Sequence, residues 1–143
     1  MSRPAKDLAP DPDHARAFLR ERGCPDHVVD GGLAGLVASW EKFAAGLADG
    51  YGMDLDEYRN DLDVRQILAE AWSLATVADV TELQPRLVAA DAGVRAATEP
   101  SELCIWGSRN ATRRRYLPTR NWWYYRVPKR AGDAFKTDFR QVR

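Results

Sequence analysis

Residues 113–130 read Arg-Arg-Arg-Tyr-Leu-Pro-Thr-Arg-Asn-Trp-Trp-Tyr-Tyr-Arg-Val-Pro-Lys-Arg: seven cations and five aromatic rings in eighteen residues, without one acid. Guanidinium groups grip carboxylates and phosphates through a planar fork of donors, and flat rings stack on bases or fill pockets in a partner protein. An extended backbone over residues 121–127 sorts these side chains by its period of two. Asn121, Trp123, Tyr125 and Val127 then share an inward face, while Arg120, Trp122, Tyr124 and Arg126 share an outward one. The outward four are the candidate partner-binding residues. Arg113, Arg114, Arg115, Lys129 and Arg130 flank them and are the candidate phosphate ligands of a nucleic-acid-binding alternative. A third outcome stands beside both: the rings lie under a helix and the arginines pair with the domain's own Asp and Glu.

The charge distribution bears on that choice. The formal net charge is zero, but up to Ser108 there are 10 Lys and Arg against 19 Asp and Glu, giving −9, and from Arg109 onward 11 against 2, giving +9. The two halves attract one another, so a cationic segment lying on acidic helices needs no external partner. Acidic helices also repel a long duplex, although a short single strand can be held locally. A protein partner meets no such conflict, and Trp, Tyr and Arg are the commonest interface anchors. The sequence therefore favours another protein as partner, with single-stranded nucleic acid second.

Other chemistry is weaker. Cys24-Pro-Asp-His27 has ligand-like spacing and His14 is close in sequence, but a structural zinc site needs two paired motifs and Cys104 is isolated. No metal or cofactor is expected, and no disulfide between Cys24 and Cys104. Asp54, Asp56, Glu57, Asp61 and Asp63 crowd one helix entrance without the glycine and terminal Glu of a calcium loop. A helix cap followed by a solvated face, with Arg59 and Arg65 as neighbours, accounts for them. Neither histidine has a nucleophile beside it, Ser108 lies in no nucleophile elbow, and Gly31-Gly32 lacks the lysine of a phosphate loop, so nothing names a catalytic base.

The elements that must position the basic segment are mostly helical. A loose arm over residues 1–10 precedes a helix capped by Asp11-Pro12 and ended by Gly23. Val29, Leu33, Leu36, Trp40, Phe43 and Leu47 recur at steps of three and four and define the core stripe of a second helix; Gly31, Gly32 and Gly35 predict a bend or close contact near its start. Asp54 with Glu57 caps a third helix, whose apolar side is Tyr58, Leu62, Leu68, Ala71 and Trp72, with Asp56, Asp61 and Asp63 toward water. Thr81 with Gln84 caps a fourth, carrying Val80, Leu83, Leu87, Ala90, Val94 and Ala97, with Pro85 close to its first turn, where a missing donor costs least. Two strands follow, over residues 103–106 and 121–127, joined by a connection that holds the triple arginine.

Gly31-Gly-Leu-Ala-Gly-Leu-Val-Ala-Ser-Trp-Glu-Lys-Phe together with Leu55-Asp-Glu-Tyr-Arg-Asn-Asp-Leu-Asp-Val-Arg-Gln-Ile-Leu resembles a set of small uncharacterised bacterial proteins. The resemblance covers much of residues 24–130, implies a shared fold and brings no activity. The expected architecture is α+β, mostly α: about four helices and a C-terminal two-stranded β unit, in one globular domain over residues 11–130, followed by a basic tail over residues 131–143. The 45% hydrophobic and 29% charged content is that of a folded domain, and the chain holds no apolar run of membrane-spanning length and no secretory signal at its start, so the expected location is the cytoplasm. The expected function is a non-catalytic module that binds another protein, of inhibitor or immunity type.

Overall fold

The computed structural model of the chain describes residues 12–143; the arm expected over residues 1–10 and the Asp11 cap lie outside them. The helices are α1 (Pro12–Glu21), α2 (Asp26–Ala48), α3 (Leu55–Ala71), α4 (Val77–Ala97), α5 (Ser108–Arg114) and α6 (Asp133–Phe139). Strands β1 (Thr98–Pro100) and β2 (Arg126–Pro128) pair antiparallel, Glu99 opposite Val127. The class is as expected, mostly helical with a two-stranded sheet toward the C-terminus, but among the described residues six helices stand where about four were expected. The two extra ones are short. α5 buries only Ala111, too little to show a period, and α6 announces itself only by Phe135 and Phe139, one turn apart and stacked at 5.7 Å.

The expected stripe of α2 forms the centre of the core. Val29, Leu33, Leu36, Trp40 and Leu47 are buried and Phe43 is half-buried. The bend falls at Gly32, whose φ of 61° and ψ of −156° interrupt the helix in a conformation that suits glycine alone. Three helices are tied at Asp91 of α4. Trp40 Nε1 donates to its Oδ1 at 2.8 Å, and Arg65 of α3 grips both oxygens at 2.9 and 3.1 Å.

Helix starts follow side-chain oxygens. Glu57 N donates to Asp54 Oδ1 at 2.9 Å, as expected for α3. For α4 the expected Thr81 and Gln84 cap is replaced by Thr76 and Asp79, each side chain accepting from the other's backbone amide. Thr81 instead donates its hydroxyl to Val77 O, four residues back inside the helix. Pro85, expected near the first turn, therefore lies well inside α4, on its exposed side.

Both expected strands are corrected. Residues 103–106 form a turn closed by Gly107 N to Cys104 O at 2.8 Å. The consecutive residues Cys104 and Ile105 are both buried, which a strand packed on one face only would not achieve. The Trp122–Tyr125 stretch winds into a 3-10 turn, and extended backbone begins only at Arg126. Consecutive Trp123 and Tyr124 are thereby both buried. Among the described residues no helix is long and apolar enough to cross a membrane.

Candidate partner-binding face

The 3-10 turn is held by one side of α3. Arg59, Asp63, Gln66 and Glu70 recur at steps of four, three and four, a polar stripe at helical spacing. Arg59 Nε donates to Ile105 O at 2.9 Å and its guanidinium lies over the Trp106 ring at 5.0 Å. Asp63 Oδ1 accepts from the Tyr124 hydroxyl at 2.6 Å. Gln66 Oε1 accepts from Asn121 Nδ2 at 2.9 Å, and Asn121 Oδ1 in turn takes the Leu117 amide at 3.0 Å. Glu70 closes the stripe by pairing with Arg22 at 2.8 Å. Arg65, beside the stripe, stacks on Trp123 at 4.7 Å.

Titration follows from this burial. Burial holds the Asp63 carboxyl above the ordinary range against the opposing hydrogen bond from Tyr124 and the nearby Arg22 and Arg114 charges. Burial likewise raises Asp61, which accepts from the Tyr51 hydroxyl at 2.7 Å. Tyr51 and Tyr124 are pushed well upward, by burial first and by their carboxylate partners next. Asp61 and Asp63, expected toward water, are thus half-buried acceptors, and of the expected three only Asp56 stands in solvent.

The four residues expected on one outward face do not share one. Tyr124 is 0% exposed, its ring tilted against Tyr116 with centroids 4.6 Å apart. Trp122 is half-buried under the guanidinium of Arg95 at 3.9 Å. Arg126 turns back onto the end of α4, its Nε donating to Thr98 Oγ1 at 2.7 Å and its Nη2 to the carbonyls of Thr98 and Arg95 at 2.9 and 3.1 Å. Carbonyls left over at a helix end are thereby satisfied. Burial lowers the Arg126 pKa, with Arg95 adding to the effect. Arg120 alone of the four stands in solvent.

The flanking cations behave differently. Arg113, Arg114, Arg115, Lys129 and Arg130 are all exposed, as is Arg109. Among the described residues four ion pairs form, Arg22–Glu70, Arg59–Asp56, Arg65–Asp91 and Arg86–Glu41, and none includes a cation from Arg109 onward. Arg113 meets only the Asn110 amide oxygen at 2.6 Å, and Arg120 only the Arg115 carbonyl at 2.6 Å. Lys129 and Arg130 lie apart from α5, at the rim of a separate alanine-lined groove between α2 and α4.

Beside α5 opens a groove of about 630 Å³. Arg115 and Arg120 edge it, Tyr116, Leu117 and Tyr125 supply apolar wall, and Glu102 is its one acid. Leu117 is 48% exposed, one of few large apolar side chains in solvent. The Tyr125 hydroxyl is spent on Tyr116 O at 2.6 Å. The signal for this face was the composition of residues 113–120; Arg95, which covers Trp122, gave none.

Cys104 is buried and Cys24 half-exposed; both are free thiols, raised by burial first. The described residues include no group of three or more His, Cys, Asp or Glu placed to hold a metal. Comparison of the chain with protein-family models, with curated proteins and with solved structures returns no match.

Proposed function

We propose that this chain is a non-catalytic binding module, of inhibitor or immunity type, that recognises another protein through the cationic face of α5 and its following loop. The supporting observation is the pairing pattern. Asp56, Glu41, Glu70 and Asp91 of the helical body form ion pairs inside the body, and Asp61 and Asp63 accept tyrosine hydroxyls, whereas Arg109, Arg113, Arg114, Arg115 and Arg120 face solvent with no carboxylate in ion-pair distance. Exposed, unpaired arginines beside an apolar groove suit an acidic protein surface. Single-stranded nucleic acid fits less well, because Trp122 and Tyr124, the rings that would stack on bases, are covered.

Capture of binding proteins from a lysate of the native host, with wild type and an Arg113→Glu/Arg114→Glu variant, tests the reading. It predicts one stoichiometric protein retained by wild type and lost by the variant, and only weak binding of labelled oligonucleotides at low salt. Equal retention by both, or oligonucleotide binding that is tight at low salt and collapses at high salt, would overturn it.

A further inference from the structure

We propose that the groove beside α5 takes an acidic segment of the partner protein, carboxylates on Arg115 and Arg120 and one apolar side chain against Tyr116 and Leu117. The proposal rests on the protein-binding reading above and adds the site and the chemistry of the bound segment.

Arg115 carries the argument. It is the one non-glycine residue among those described with positive φ, at φ 59° and ψ 39°. The conformation closes α5: Arg115 N donates to Thr112 O at 3.3 Å and Tyr116 N to Ala111 O at 2.9 Å, the paired bonds of a left-handed helix end. Glycine adopts that conformation without strain, whereas any side chain brings its Cβ against the backbone. An arginine here sits where the local fold prefers glycine, and its side chain has no hydrogen bond or ion pair inside the domain to offset the strain. Strain of this kind is kept where the surroundings hold it for a purpose.

The neighbours say what the purpose is. The Arg120 guanidinium donates to the Arg115 carbonyl, which brings a second cation to the same rim. Two like charges gathered without an acid between them favour an anion that bridges them, and carboxylates match the guanidinium fork. The wall behind is mostly apolar, and the Tyr125 hydroxyl is already given to Tyr116 O, so it rewards an apolar side chain.

Fluorescence anisotropy with the full chain tests this, using labelled Glu-Glu-Phe-Glu-Glu, its Glu-Glu-Ala-Glu-Glu counterpart and a labelled oligothymidine. Wild type binds the Phe peptide more tightly than the Ala peptide and both more tightly than oligothymidine. Arg115→Gly binds the Phe peptide about tenfold more weakly, while it melts at the same temperature or a few degrees higher. Undiminished peptide binding by Arg115→Gly, or oligothymidine as the tightest ligand, overturns the proposal. A fall in its melting temperature of more than about 5 °C does so too, because the arginine is then structural. If the peptides fail while host-protein capture still depends on Arg113 and Arg114, the groove is wrong and the protein-binding reading stands; if capture is also indifferent to them, both fall.

Discussion

The carboxylates on the helical body and the arginines of α5 are both dense charge, yet they meet opposite fates. Asp91 takes three donors from two other helices, Asp61 and Asp63 each take a tyrosine hydroxyl, and Glu70 and Glu41 each pair with an arginine. These acids are structural cement. The arginines of α5 and its loop have between them one amide oxygen and one carbonyl as hydrogen-bond partners. Opposite halves of a +9/−9 chain could have neutralised one another, and in the fold they largely do not. A cluster of one sign left outside every internal ion pair and gathered beside a groove is the charge to examine for a partner.

The contrast makes its largest prediction at Asp91. Asp91→Ala strands the Arg65 guanidinium and the Trp40 indole N–H together in a mostly buried place, and the expected loss of stability is about 3 kcal/mol by urea or guanidinium unfolding. A loss below about 1 kcal/mol would mean that the junction of α2, α3 and α4 does not depend on it.

Asp63 offers a smaller and sharper test. Asp63→Leu leaves the Tyr124 hydroxyl without its acceptor and is expected to cost about 1–3 kcal/mol, whereas Asp63→Asn keeps an acceptor oxygen and stays close to wild type. The pH dependence separates the two effects. With its folded-state pKa above the ordinary 3.8, the folded chain holds the Asp63 proton more readily than the unfolded chain. Stability from this group therefore falls as pH rises from 3.8 through the raised value, and above that value the burial cost of the charge persists. The difference between wild type and Asp63→Asn should show that slope in thermal melts across the window. A slope of the opposite sign would mean that hydrogen bonds and nearby arginines outweigh burial.

The long elements were readable because their apolar residues repeat at helical spacing over many turns, as in the α2 stripe of Val29, Leu33, Leu36, Trp40 and Leu47. The polar stripe on α3 was equally periodic, but charged residues at helical steps look the same whether they face water or an aromatic layer. Only the rings they serve, far along the chain at Trp106 and Tyr124, decide between the two. The C-terminal unit misled for a local reason. Strand alternation sends neighbours to opposite faces, and here the adjacent pairs Cys104 with Ile105 and Trp123 with Tyr124 are both buried, which a turn permits and a strand packed on one face does not. Of the candidate face, the composition of residues 113–120 was visible at once. The left-handed backbone at Arg115 was not, since arginine is no turn residue and nothing in the sequence marks the exception.

The central claim, that the α5 arginines are not needed by the fold, is tested most directly by the unfolding free energy of Arg113→Gln/Arg114→Gln against wild type at low and high salt. The account predicts a difference within about 0.5 kcal/mol at both, as for exposed surface residues outside any internal pair. A loss above about 1 kcal/mol at low salt that vanishes at high salt would contradict it, because the arginines would then be neutralising the domain's own acids.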